Sequence, residues 1–384
     1  MTTVRPLRFA VVGCGRIAGN HLRALTSGQI PAELVAVSDV RADRARDSAA
    51  RYRVPYYLDY HQMLAGHPDI DVIDILTPTG YHARHVIDLA RYGTHFVVEK
   101  PMALRVSDCD RMIAACRKHG GRLFVVKQNR YNRAVVAARR ALDAGRFGKI
   151  VMATVRVRWK RDQAYYASDA WRGTWELDGG VMAQQASHHL DLLQWFMGPI
   201  ERLQCQIATR LLNIEVEDTA AALFRFRSGA LGVFEATTAT RPSDLEASLS
   251  LLGERGSVIL GGNAVNRVEH WQFDPALPED DQVRAEASQE VPNIYGHGHA
   301  DYLADIVRSI LDDRPGLVEG AEGRKNVMIL AALYESAARG GAPVRPEVRL
   351  RRARIGRTPS RPSASAPMDR EIRTVAGRSL SGGA

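Results

Sequence analysis

Along the first third of the chain, short apolar runs alternate with stretches whose apolar residues recur at helical spacing. Leu7–Val12 is an apolar run ending at Gly13, and residues 16–26 carry helical periodicity. Residues 33–38 form a second run, followed by a helical pattern over 41–52. Two more runs lie at 72–76, broken by Thr77-Pro78, and at His95–Val98, which leads into Glu99-Lys100-Pro101. Helical patterns at 81–92 and 106–119 follow them and close at Gly93 and at Gly120-Gly121. Residues 123–126 complete the series. Strand-length runs alternating with helices predict a parallel sheet covered on both faces.

Beyond residue 127 the period changes. Residues 151–160 alternate, with Val155, Val157 and Trp159 on one face and Arg156, Arg158 and Lys160 on the other. Residues 220–226 and 230–236 flank Ser228-Gly229, a hairpin signal. Two further strand patterns, 245–252 and 257–260, are separated by Gly253-Glu254-Arg255-Gly256, and helical patterns follow at 300–311 and 323–338. This half reads as α+β, with a large, mainly antiparallel sheet.

A chain of 384 residues, 45% hydrophobic and 25% charged, is long enough for two cores. No apolar run approaches the roughly 20 residues of a membrane-spanning helix. The apolar stretch near the N-terminus is too short for a secretory signal, so a cytoplasmic location is expected. Cys14, Cys109, Cys116 and Cys205 form no CxxC pair and no zinc-like cluster, so reduced thiols and no metal site are expected. The net charge of +9 suggests nucleic acid until it is located. Nine Arg and three acids fall in 346–384, which leaves the rest of the chain only about +3. That stretch is rich in Ser, Pro and Gly, and cannot offset its chain entropy by burial. A basic, disordered tail is expected there, with no nucleic-acid partner.

Gly13-Cys14-Gly15-Arg16-Ile17-Ala18 fits GxGxxG/A at the turn from the first predicted strand into the first predicted helix. Gly13 allows the tight turn. Gly15 lets the backbone approach a pyrophosphate, and Ala18 lets helix and strand pack closely. A diphosphate would face the free N–H groups beside Arg16 and Ile17, at the positive end of the helix. Asp39 ends the second predicted strand, 24 residues after Gly15. A carboxylate there accepts bonds from the adenosine ribose and repels a 2′-phosphate, favouring NAD over NADP, although Arg41 is close by. Capping the next helix is the plain alternative for Asp39. The expected architecture is an α/β Rossmann domain over 1–126, an α+β substrate and oligomerisation domain over 127–345, and the tail.

Thr77-Pro78-Thr79-Gly80-Tyr81-His82, then Glu99-Lys100-Pro101, then the block from Gly179-Gly180 through His188 to Asp191 follow one another in the chain. They resemble the TPxxxH, EKP and GGxxxDxGxHxxD segments of the Gfo/Idh/MocA oxidoreductases, over nearly all of the chain up to about residue 345. The resemblance implies a catalytic Lys100, with Thr77, Pro78 and His82 lining the nicotinamide end. Glu99, Lys100 and Gln128 complete the expected cofactor contacts. Only six of the 52 basic residues are Lys. An ammonium can lose its proton when desolvated and a guanidinium cannot, which suits Lys100 to its place. Pairing with Glu99 is its structural alternative. Gln184 stands where the family has its catalytic Asp, and an amide cannot exchange protons. His188 aligns with the family's His and titrates near neutral pH. Asp191, three residues on, is placed to orient it, whereas His189 reads as a packed histidine.

The amide-for-acid replacement is shared by one branch of the family, WlbA/WbpB-like dehydrogenases that oxidise the 3-hydroxyl of UDP-N-acetylglucosaminuronate. Segments 126–132, 161–166, 170–175 and 185–189 resemble that branch. The resemblance implies a nucleotide-sugar substrate, a 3-keto product, NADH, and a homodimer or homotetramer. The candidate substrate contacts are Lys100, Arg130, Tyr165, Arg172, Gln184 and His188. Residues 159–175 hold three of the five tryptophans together with Lys160, Arg161 and Arg172. Aromatic faces suit sugar or uracil rings, and guanidinium suits carboxylate or diphosphate, although aromatic residues also fill cores. Tyr295-Gly296-His297-Gly298-His299 offers a loop that could close the pocket. Two rival readings stand beside this one: an NAD(P)-dependent dehydrogenase of a free sugar or cyclitol, and a non-catalytic dinucleotide-sensing protein that keeps the fold.

Overall fold

The computed structural model describes residues 5–291, 295–296, 298–347 and 351–357. The first layer is a six-stranded sheet of β1 (Leu7–Val12), β2 (Ala32–Ser38), β3 (Tyr56–Tyr57), β4 (Val72–Ile75), β5 (His95–Val98) and β6 (Leu123–Val125). The connecting helices are α1 (Ala18–Leu25), α2 (Ala42–Tyr52), α3 (Tyr60–Gly66), α4 (Thr79–Leu89) and α5 (Val106–Lys118). The order is β3-β2-β1-β4-β5-β6 and every pair is parallel. All residues of β4 and β6 are buried, and the run of apolar residues is interrupted only by Asp74 in β4. The order reverses at β1, whose neighbours are β2 and β4. The strand ends there open a crevice, the usual ligand position in such sheets.

The second layer begins with α6 (Arg133–Asp143) and β7 (Ile150–Arg158), then α7 (Gln163–Ala167) and α8 (Ser187–Met197). Six strands follow: β8 (Ile200–Ala208), β9 (Thr219–Phe226), β10 (Leu231–Thr237), β11 (Glu246–Gly253), β12 (Gly256–Gly261) and β13 (Arg267–Phe273). They form a seven-stranded sheet, β13-β12-β11-β7-β10-β9-β8, in which only β7 and β10 pair in parallel. Val155, Val157 and Trp159 point into the core as their spacing predicted. On the opposite face, Arg158 is paired with Glu235 at 2.6 Å rather than simply solvated. That face also exposes Leu223, Leu231 and Leu252.

After α9 (Asp280–Ala287) the chain returns to the first layer. α10 (Gly298–Leu311) places Tyr302, Leu303, Ile306 and Val307 in one core cluster with Phe9, Leu22 and Leu25. α11 (Gly320–Ala338) packs on both α5 and β8. Within the stretch expected to be a solvated tail, residues 351–357 pack instead. The N–H groups of Arg351, Arg352 and Ala353 converge on the Glu335 carboxylate, and Ile355 is buried. One acceptor for three backbone donors and one buried isoleucine offset the entropy of a short segment. Residues 358–384, the rest of the expected tail, lie outside the described residues. Among the described residues no helix is long and apolar enough to cross a membrane, and all four cysteines are free and buried.

Candidate active site

The glycine turn forms where β1 meets the crevice. Gly13 has φ +104°, and a Cβ there would lie 2.7 Å from the Leu76 carbonyl carbon, so the turn and the end of β4 come together only with glycine. A Cβ on Gly15 would meet nothing within 4 Å, because that position faces open cavity. Asp39 ties the turn to the end of β2. One carboxylate oxygen accepts the Cys14 N–H at 2.8 Å and the other accepts the Arg41 N–H at 2.8 Å. Arg41 caps α2 positionally, and its guanidinium turns to Asp43 at 2.6 Å.

A cavity of about 650 Å³ runs from this turn to the ends of β4 and β5. Gly13, Gly15, Arg16, Ile17 and Asp39 line one end, and Thr77, Pro78, His82, Glu99 and Lys100 line the other. Gln128, Tyr165, Arg172, Gln184 and His188 face the same space. A second cavity of about 440 Å³ adjoins it, walled by Trp159, Lys160, Arg161 and Gln185. Lys100, Gln184 and His188 belong to both walls, together with Arg16, Gln128, Tyr165 and Tyr295.

At this shared wall the Lys100 Nζ donates to the Gln184 backbone carbonyl at 2.8 Å, with the Gln184 Oε1 at 3.5 Å. The Gln184 Nε2 donates to Thr79 Oγ1 and to the Asp178 carbonyl, each at 3.0 Å, which turns its oxygen toward Lys100. The amide thus accepts from Lys100 where the family's acid would stand. Burial lowers the Lys100 ammonium, opposed by Glu99 and Asp178. Burial, then the nearby Lys100 and Lys127 charges, hold His188 well below the ordinary imidazole range. His188 is therefore neutral at pH 7, with a lone pair available for a proton. His82 is a brace rather than a mobile base: its ring nitrogens lie 2.7 Å from the Thr77 carbonyl and 3.0 Å from the Pro101 carbonyl.

Tyr165 is surrounded by guanidinium groups. Arg172 lies 4.8 Å from its ring centroid and donates to its hydroxyl at 3.0 Å, and Arg16 and Arg161 lie at 5.3 and 5.5 Å. The structure does not bring Arg130 to this site. Arg130 is 1% exposed, bonds Asp191 at 2.7 and 2.9 Å and Glu322 at 3.0 Å, and lines neither cavity. The same clamp removes Asp191 as the orienting partner of His188, whose Nδ1 has no protein partner among the described residues. His189 is packed as expected, edge-on to Trp159. Of the closing loop, Tyr295 lines both cavities, His299 is buried in α10, and His297 lies outside the described residues.

Two features escaped the sequence. Asp178 is buried and accepts the Gly173 N–H at 2.5 Å, and burial raises it to about 7. Arg44 of α2 bonds Asp169 at 2.6 Å and ties the first layer to the 163–175 segment across the cavity. Neither has a local signature, because each depends on contact between distant segments.

A glycine turn, an acid at the end of β2 and a lysine in a second cavity's wall define a nicotinamide-dinucleotide oxidoreductase. The chain belongs to the Gfo/Idh/MocA family, and its first layer is an NAD-binding Rossmann domain. Residues 7–127 match the oxidoreductase family's NAD-binding Rossmann fold, and residues 135–259 match the GFO/IDH/MocA C-terminal domain. The chain is similar to the WlbA dehydrogenase of Bordetella pertussis, solved in complex with NADH and UDP-GlcNAcA. That match has 40% identity and a TM-score of 0.84, and covers 90% of this chain and 99% of that one. The WlbA dehydrogenase of Chromobacterium violaceum, solved with the same two ligands, is 41% identical with a TM-score of 0.83, covering 89% and 96%. A myo-inositol 2-dehydrogenase of Thermotoga maritima is 31% identical over 60% of this chain and 68% of its own length.

Proposed function

We propose that this protein oxidises the C3 hydroxyl of a UDP-N-acetylhexosaminuronate or a similar nucleotide sugar, giving a 3-keto sugar and NADH. The observation that carries this reading is the wall shared by the two cavities, where Lys100, Gln184 and His188 stand between the dinucleotide crevice and a cationic, aromatic pocket. NAD, when bound, supplies the hydride acceptor. Lys100, its proton loosened by burial, bonds the reacting hydroxyl together with His188 and accepts its proton, while the Gln184 amide holds the Lys100 side chain in place. The cations around Tyr165 suit a carboxylate and a diphosphate, a charge set that a free cyclitol would not use. Similarity to proteins bound to UDP-GlcNAcA supports the same substrate class.

The outer face of the seven-stranded sheet, with its exposed leucines between Arg–Glu pairs, supports self-association into a dimer or tetramer. Buried, unpaired thiols fit a cytoplasmic protein. The deciding experiment incubates purified protein and NAD with UDP-GlcNAcA, UDP-GlcNAc, myo-inositol and free hexoses, and follows NADH absorbance. Reduction only with myo-inositol or a free sugar would replace the nucleotide-sugar reading. Dinucleotide binding without turnover on any of them would favour a sensing role.

A further inference from the structure

Behind Lys100 lies a buried chain of charged groups in which no member but Glu99 reaches the cavity. His21, on α1, is 0% exposed, as is Asp74 in the middle of β4. The His21 Nδ1 is 2.7 Å from Asp74 Oδ2, and its Nε2 is 3.2 Å from Glu99 Oε1. The other Glu99 oxygen accepts the backbone N–H of Lys100 at 2.8 Å. A neutral imidazole has one N–H and would turn a bare nitrogen toward one of these carboxylates, whereas an imidazolium donates to both. α10 packs against α1 and adds further polar groups beside His21. The His299 ring stands edge-on at 5.2 Å between centroids and the Tyr302 hydroxyl is buried nearby. Burial keeps His299 neutral, down at about 3. His21 thus carries the positive charge between the two acids.

We propose that His21 is a positioning residue of this dehydrogenase: it holds a proton at neutral pH and, through Glu99, anchors the main chain of Lys100 and sets the charge beside its ammonium. The inference rests on the place given to Lys100 in the proposed reaction. Burial alone would strip His21 of its proton, but Asp74 and Glu99 outweigh it and raise the group to about 10. In return, His21 holds Glu99 ionised against burial, down to about 2. Replacing His21 by a neutral side chain leaves two buried carboxylates without a cation between them, and one must take up a proton. Removing Asp74 as well takes away the surplus acid and lets Glu99 remain a carboxylate opposite Lys100.

The test uses the full chain carrying His21→Asn, alone and with Asp74→Asn. The single variant is expected to lose about tenfold or more in kcat and to displace the pH profile of kcat/KM by about one unit, with NAD affinity nearly unchanged. The double variant should recover most of that loss. If the second substitution instead adds to the first and the pH profile does not move, the role is merely structural and the proposal fails. A second arm needs no substrate. His21's folded pKa lies above its ordinary 6.5. Its stabilising effect is therefore complete below about pH 6.5 and is lost as pH rises through about 10. The gap in melting temperature between wild type and either variant should narrow toward pH 10, and the double variant serves if the single one does not fold. A gap that is constant with pH overturns the proposal. So does a metal ion bound stoichiometrically between His21, Glu99 and His299 in place of the proton. A narrowing gap in a protein that oxidises no nucleotide sugar overturns the substrate reading and leaves the buried imidazolium standing.

Discussion

Two adjacent strands of the first sheet each lead into a lysine at the same edge, and the two lysines have different fates. β5 runs into Lys100 and β6 into Lys127. Burial pushes both ammonium groups below the ordinary lysine range, Lys127 to about 8. Lys127 is 1% exposed, donates to Asn326 Oδ1 at 3.0 Å and lies 3.9 Å from Asp191, whose carboxylate Arg130 clamps. Fixed protein groups surround it on every side. Lys100 has one short bond, to the Gln184 carbonyl, and projects into the wall between two cavities. An ammonium has three donors, so Lys100 keeps capacity for a ligand. A perturbed pKa marks both regions, but only one combines it with open space, and that combination is what a catalytic group requires.

The sharpest way to break this contrast is to remove each lysine. Lys100→Ala should cost about 10³-fold in kcat/KM, within the range of a lost acid–base group, while a fluorescence titration shows NAD binding nearly unchanged. Turnover near wild type would end the comparison. Arg172→Ala probes the guanidinium cluster around Tyr165, a residue of the same wall. It should raise KM for the nucleotide sugar about 10- to 100-fold, the worth of one charged hydrogen bond, and leave kcat little changed. A fall in kcat with constant KM would move Arg172 into the chemistry. Lys127→Met should keep turnover and instead lower stability by about 1–3 kcal/mol, because Asn326 and Asp191 lose a buried partner. Denaturant midpoints would read that loss, and a collapse of kcat would erase the difference between the two regions.

The contrast also separates what was legible in the sequence from what was not. The glycine turn and Asp39 belong to segments whose neighbours in sequence are their neighbours in space, so strand, turn and helix signals located them, whereas Lys100 was singled out by the motifs that resemble the family. The alternation of β7 likewise announced which residues enter the core. The resemblance of segment 126–132 to one branch of the family points to Arg130 as a substrate contact, but a segment's resemblance does not say where each side chain turns. The partners that turn it away, Asp191 and Glu322, lie on helices 61 and 192 residues further on. Asp178, Arg44 and His21 were invisible for the same reason. His21 sits in the first turn of chemistry after the glycine motif, yet its meaning depends on Asp74 and Glu99, 53 and 78 residues away. Burial and pairing at such range leave no periodic trace.

The smallest expected effect concerns the acids that accompany the two lysines. Asp191, beside Lys127, is held below the ordinary carboxylate range by Arg130 and Lys127, against the opposing effect of burial. Asp178, near Lys100, has no such clamp. Burial dominates there, with the Gly173 N–H and the Arg172 charge opposing it, and the group rises to about 7. A carboxyl whose folded pKa lies above its ordinary 3.8 favours the folded state while it is protonated. Its contribution is complete below about pH 4 and is lost as pH rises through about 7. Asp178→Asn removes that dependence while keeping the shape. Its melting temperature, measured relative to wild type, should therefore climb between pH 4 and 7 and level off above. A difference that is flat across this range would mean that Asp178 is already ionised in the fold, leaving the Lys100 region as firmly charge-clamped as the region around Lys127.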